Sequence, residues 1–297
     1  MERVLETNNK KFIWIILLAI LSLLFYSNII SADTGNLGVL HEKTFKVKDG
    51  QRLELFASMG DVKIDTWDKD ELYVKVIGSS KVERNFEFIF EETNYGVRIE
   101  AKKEGSNNWF NFSWFGGGQD LKFEINLPKK FVIKTKTSGG DIYVRDLSGE
   151  AELKTSGGDI VLLNYKGDAN INTSGGDIEI ENSGGNLDVA TSGGEIRLKS
   201  ANGIIEAATS GGDISLDYIG NNEGVDLHTS GGDIHVYLPS DFKADVYCKT
   251  SGGDVDVYFD NQRSEKVKSS RYEGTFNGGG NRLKCTTSGG DIVVKER

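Results

Sequence analysis

The sequence predicts an all-β protein, a two-sheet β-solenoid of about 18-residue coils, and three observations predict it. First, Thr-Ser-Gly-Gly begins at Thr137, Thr155, Thr173, Thr191, Thr209, Thr229, Thr250 and Thr287, at spacings of 18, 18, 18, 18, 20, 21 and 37 residues. Second, each copy is followed by an acidic residue and then two aliphatics two positions apart, such as Ile160 and Leu162. That alternation is a strand with one buried face. Third, a further alternating stretch ("AELKT", "ANINT", "LDVAT") leads into each copy and is introduced by a glycine such as Gly149, Gly167 or Gly185.

One unit is therefore strand, corner, strand, corner. Eighteen residues cannot bury their own aliphatics, but stacked at about 4.8 Å per step they form a continuous internal ladder. Gly139, Gly140, Gly157, Gly158, Gly175 and Gly176 are the expected turn glycines, supplying positive φ at a tight reversal. An antiparallel meander or sandwich is the rival architecture. Such folds rarely hold one corner sequence in register eight times.

The elements follow in order. Residues 1–11 read as a cytoplasmic tail and 12–30 as a transmembrane helix, since an apolar run from Phe12 to Ile30 follows Lys10 and Lys11. The alternative for the same segment is a signal peptide cleaved at Ala32-Asp33, which would release the body from the cell membrane. Either reading exports everything beyond it. Residues 31–43 are the expected linker. Residues 44–130 read as an irregular β capping region, with a degenerate corner at Ser58-Met59-Gly60-Asp61. Residues 131–297 form the regular solenoid, ending in "GDIVVKER" with no evident cap, an open end available for self-association.

With "TSGGDI" and its variants eight times over, the body resembles the putative-adhesin β-repeat family of bacterial envelope proteins. The single N-terminal apolar segment makes it similar to LiaG-type members in Gram-positive bacteria. The resemblance implies an extracytoplasmic, non-enzymatic protein associated with the envelope, whose partner is a cell-envelope component or a membrane protein. It supplies no catalytic residues.

Charge narrows the partners. Residues 1–32 hold three basic and two acidic side chains, so residues 33–297 sit at −11, with 32 basic and 43 acidic. A body of that net charge should be repelled by nucleic acid and by anionic lipid.

Four groups of residues are candidate sites. The acidic column Asp141, Asp159, Asp177, Glu195, Asp213, Asp233, Asp254 and Asp291 places carboxylates one coil apart. Neighbours at about 4.8 Å repel by about 3.5 kcal/mol at an effective dielectric of 20, and by about 0.9 kcal/mol in water. Hydrogen bonds from turn N–H groups, solvent or bound calcium must offset this. The turn bonds are the favoured reading, because the calcium-binding β-roll repeats carry acids at both corners. The threonine column falls on the inward side, where each hydroxyl needs a carbonyl of the adjacent coil. The outward positions (Glu152, Lys154, Asn170, Asp188) are mixed and charged, which excludes a flat ice-binding array.

Cys248 and Cys285 share an inward column. They read as two buried thiols, or as a disulfide if the 37-residue gap is one coil with a long loop. Trp109, Phe110, Phe112, Trp114 and Phe115 crowd "NNWFNFSWFGGG", either sealing the solenoid's flank or gripping a sugar or lipid surface. No cofactor is expected apart from the calcium alternative, and no "GxSxG", "HExxH" or phosphate-binding loop occurs.

Overall fold

Two strands and two corners repeat from Arg52 to Glu296, and at each end the pattern is altered in a way the repeat alone does not announce. The computed structural model describes residues 37–103 and 121–297. The chain divides into residues 1–38 and a second unit, residues 39–297, which contains the capping region and the regular coils together.

Chain order begins with β1 (Gly38–Lys46), β2 (Arg52–Ala57), β3 (Asp61–Trp67) and β4 (Glu71–Gly78). A one-turn helix, α1 (Ser80–Asn85), then leads into β5 (Phe86–Thr93), β6 (Gly96–Lys103) and β7 (Leu121–Pro128). The regular coils are β8 (Val132–Thr137), β9 (Ile142–Arg145), β10 (Ala151–Lys154), β11 (Ile160–Lys166), β12 (Ala169–Asn172), β13 (Ile178–Gly184), β14 (Leu187–Ala190) and β15 (Ile196–Asn202). They continue as β16 (Ile205–Ala208), β17 (Ile214–Tyr218), β18 (Val225–His228) and β19 (Ile234–Leu238). The distal end comprises β20 (Ala244–Lys249), β21 (Val255–Tyr258), β22 (Gln262–Lys268), β23 (Arg271–Phe276), β24 (Arg282–Thr286) and β25 (Ile292–Glu296).

The strands make two sheets. Sheet A has twelve strands in the order β1-β4-β7-β3-β9-β11-β13-β15-β17-β19-β25-β21. Sheet B has thirteen, β22-β23-β20-β24-β18-β16-β14-β12-β10-β8-β2-β6-β5. Pairing through the regular coils is parallel, each residue meeting the one a coil later: Ile142, Ile160, Ile178 and Ile196 in sheet A, and Ala151, Ala169, Leu187 and Ile205 in sheet B. These side chains are buried and form the core between the sheets, as the alternation requires.

The corner glycines act differently from the expectation. In the regular coils positive φ falls at the second corner, where Gly149, Gly167, Gly185 and Gly203 lie at 145°, 137°, 123° and 103°, whereas in the capping coil Gly60 of the first corner lies at 112°. In Thr-Ser-Gly-Gly the second glycine is required by close approach instead. A Cβ on Gly158 would stand 2.2 Å from the carbonyl oxygen of Gly140, and one on Gly176 would stand 2.0 Å from that of Gly158. The first glycine has room, since a Cβ on Gly157 meets nothing nearer than 3.9 Å and one on Gly139 meets nothing within 4 Å. Asp146, Asn164, Asn182 and Ser200 add left-handed residues at the second corner, with φ from 51° to 61°. Asn and Asp tolerate that region best after glycine. Their amides ladder, Asn164 Nδ2 donating to Asp146 Oδ1 at 2.8 Å and Asn182 Nδ2 to Asn164 Oδ1 at 3.1 Å.

The capping region is solenoid in irregular form. β2 and β3 make a genuine coil around Ser58–Asp61, in register with β8 and β9. β6 and β7 stack on it in parallel, and β5 and β4 close the end antiparallel. Strand β1 begins at Gly38, within the expected linker, because His41 packs on Phe88 and Phe90 with ring centroids 4.8 and 5.5 Å away. Phe45, Val47, Val82 and Phe86 seal the core beneath.

At the distal end, β25 does not form the sheet edge. It lies between β19 and β21, and β24 lies between β18 and β20. The edges are β21 in sheet A and β22 in sheet B. The 37-residue spacing is therefore one coil with a β-hairpin, β22–β23, inserted after it. Phe259 stacks on Phe276 at 4.2 Å to close this end. The apolar segment 12–30 lies outside the described residues, among which no helix is long and apolar enough to cross a membrane.

Candidate functional site

Three columns meet at the Thr-Ser-Gly-Gly corner. Each threonine hydroxyl donates to the second-glycine carbonyl of the preceding coil: Thr155 to Gly140, Thr173 to Gly158 and Thr191 to Gly176, all at 2.9 Å. Each carboxylate accepts the backbone N–H of the acidic residue on the next coil, as Asp141 does from Asp159 at 2.8 Å and Asp159 from Asp177 at 2.7 Å. The ladder starts at Asp61, which accepts from Asp141, and ends with Asp233, Asp291 and Asp254 in spatial order. Glu195 interrupts it, its longer side chain turning to Arg197.

The ridge so built holds nine carboxylates, Asp61, Asp141, Asp159, Asp177, Glu195, Asp213, Asp233, Asp291 and Asp254. Burial, with the neighbouring carboxylates Asp141 and Asp177, raises the pKa of Asp159. The N–H groups of the turn offset part of the repulsion. Among the described residues no group of three or more His, Cys, Asp or Glu is placed to hold a metal ion.

Cys248 and Cys285 face each other in register on β20 and β24, both fully buried and both free thiols. A hydrogen bond to Cys248 and burial together push the Cys285 thiol well above its ordinary pKa. Trp109, Phe110, Phe112, Trp114 and Phe115 lie in residues 104–120, outside the described residues, in the connection between β6 and β7.

The ridge changes the meaning of the net charge. Nine of the negative charges stand in one line, so the sheet faces need not be acidic. On the outer face of sheet B at its distal end, register brings together Arg263, Lys266 and Lys268 of β22, Arg271 of β23, Lys249 of β20, and Arg282 and Lys284 of β24. Three carboxylates share this face, Glu273, Asp245 and Asp226. Arg271 pairs with Glu273, and Lys284 pairs with Asp226 at 2.7 Å. In the middle, Tyr247 lies between two guanidinium groups, 5.1 Å from Arg271 and 5.5 Å from Arg282. Seven basic groups against these three acidic ones and Glu265 in the β22 bulge, around one aromatic ring, make a surface for an anion. The basic face escapes the sequence because only the net charge of residues 33–297 is read there, and because the 37-residue gap that contains "QRSEKVKSSR" is read as either two coils or one coil with a long loop. Its signal was the basic run itself, in an acidic chain.

A family model describing the Toastrack domain, DUF4097, matches residues 51–295. The chain belongs to the Toastrack family. The matched residues take in both the capping coils and the distal hairpin of this Toastrack chain. No curated protein matches it. Among solved structures it is similar to a putative adhesin from Bacteroides fragilis, with 15% identity, 89% of this chain and 98% of that chain covered, and a TM-score of 0.48. A putative cell adhesion protein from Clostridium sporogenes has 16% identity, 86% and 99% coverage and a TM-score of 0.30. A putative lipid binding protein from Parabacteroides distasonis has 14% identity, 89% and 98% coverage and a TM-score of 0.45.

Proposed function

We propose that this Toastrack protein is a non-enzymatic, membrane-anchored envelope protein of the LiaG type. Its extracytoplasmic solenoid presents a cationic sheet face to an anionic cell-envelope component. The observation that carries the reading is Tyr247 set between Arg271 and Arg282, with Lys249, Lys268 and Lys284 around it, on a chain of net charge −10. A solenoid suits presentation, since every coil is braced by two neighbours and the outward faces are set by register. The anchor is the apolar segment 12–30, with Lys10 and Lys11 on the cytoplasmic side.

The test is co-sedimentation of the detergent-solubilised chain with purified cell-wall sacculi, before and after extraction of their anionic polymers. The expected result is binding that weakens with salt, falls after extraction, and is lost in a Lys249→Glu, Lys268→Glu double variant. Binding that ignores both extraction and the variant overturns the site. No binding to sacculi at any salt points to a membrane-protein partner instead.

A further inference from the structure

Sheet B ends in two strands of opposite charge. β22 carries Arg263, Lys266 and Lys268 against one acid, Glu265, and all seven of its residues are exposed. β5, at the far end of the same sheet, carries Glu87, Glu91 and Glu92 and no basic residue. Each edge leaves a row of backbone donors and acceptors unpaired by its own sheet, the usual template for another strand. Charge on an edge discourages pairing with a like edge. Here it repels β22 from β22 and β5 from β5, but it leaves β22 and β5 complementary.

Direction and register agree with charge. β22 is antiparallel to β23, which is antiparallel to β20, so β22 runs with the coils. β5 is antiparallel to β6, which runs with the coils, so β5 runs against them. Two copies stacked along one axis therefore bring β22 of one against β5 of the next as an antiparallel pair. Placing Val267 opposite Phe88 sets Lys268 against Glu87. Beyond the β22 bulge between Ser264 and Lys266, the same register sets Arg263 against Glu91. The face assignments match as well. Lys268 and Arg263 share the outer face with Arg271 and Thr275, while Glu87 and Glu91 share it with Lys102 and Arg98. Val267, 64% exposed, is the most exposed large hydrophobic residue among the described residues and meets the half-buried Phe88.

We propose that copies of this chain associate head to tail through β22 and β5, forming an open chain of solenoids with sheet B continued across each junction. The contact is heterologous, and a translation along the solenoid axis does not close on itself. This inference goes beyond the envelope-binding reading and shares β22 with it, so the junction is tested with no envelope component present and through β5, which lies at the end of sheet B opposite the basic face.

Sedimentation velocity of the full chain in detergent, over a range of concentrations, tests it. Association is expected at low salt, weakening by about tenfold on raising ionic strength or on reversing either edge. One variant is Arg263→Glu with Lys268→Glu, and the other is Glu87→Lys with Glu91→Lys. Each alone should stay monomeric with an unchanged melting temperature, since the reversed residues are exposed. Mixed in equal amounts they should associate again, because the junction of two reversed edges and the junction of two unaltered edges are both complementary. A wild type that stays monomeric at all concentrations overturns the proposal. So does association indifferent to the reversals, or a mixture that fails to restore it.

Discussion

The hydroxyl of Thr173 donates to the carbonyl of Gly158 at 2.9 Å, while its oxygen accepts the N–H of Gly176 at 3.4 Å. One side chain therefore ties its own corner to the coil beneath. Thr173→Val keeps the shape but orphans a buried carbonyl, and should cost about 1–3 kcal/mol in denaturant unfolding. Thr173→Ser should recover most of it. The glycines on either side of the corner bond should behave unequally. Gly176→Ala drives a Cβ to 2.0 Å from a backbone oxygen and should be severe, whereas Gly175→Ala has 3.7 Å of room and should change stability by no more than about 0.5 kcal/mol.

Glu152 gives the fold an acid-sensitive point. Burial alone would raise its pKa, but ion pairs with Lys134, Lys154 and Lys136 draw it down to about 2. A carboxylate with a depressed folded pKa contributes stability that is present above its unfolded pKa and lost as pH falls through the folded one. Its contribution should fade between about pH 4.5 and pH 2. Glu152→Gln should remove that part of the pH dependence, seen as a flatter curve of unfolding midpoint against pH.

Asp159 should respond in the opposite sense. With its pKa raised, Asp159 binds its proton more readily folded than unfolded, so protonation stabilises the fold. Asp159→Asn keeps an oxygen to accept the Asp177 N–H and removes the charge, and should raise the melting temperature at neutral pH. Asp159→Ala loses the acceptor and should lower it. Because the ladder is made with N–H groups, a chelator should leave the melting temperature unchanged. A large drop would support the calcium reading instead.

Cys248 and Cys285 should be silent in the folded chain. Both are fully buried, and Cys285 resists ionisation, so a thiolate is scarcely available. A thiol reagent near pH 8 should label neither in native protein and both after unfolding, counted by intact mass.

Much of the regular solenoid is legible in the order of its amino acids. Period-two alternation places Ile160 and Leu162 inward, the 18-residue beat sets the coil, and the inward threonine demands a neighbouring carbonyl. The division of labour among glycines is not legible there. Gly158 touches Gly140, 18 residues away, and that closeness exists only once the coils stack. Nor is the order of the last coils, since "VYCKTSGGDVDV" and "LKCTTSGGDIVV" carry one pattern and either fits either place. The basic face is hidden because it is assembled from β18, β20, β22, β23 and β24, and β22 shows no alternation to mark it as a strand.

That swapped order has a consequence for how the protein comes into being. A solenoid can be laid down like courses of brick, each settling on the one below as it emerges. Here residues 244–258 emerge first, yet their sheet neighbours on the core side are residues 282–296. The outer course must wait, unsupported, until the inner one slides beneath it. A chain halted between them ends on a gap, and the hairpin that follows β21 is long enough in sequence to hold the course open while its foundation arrives.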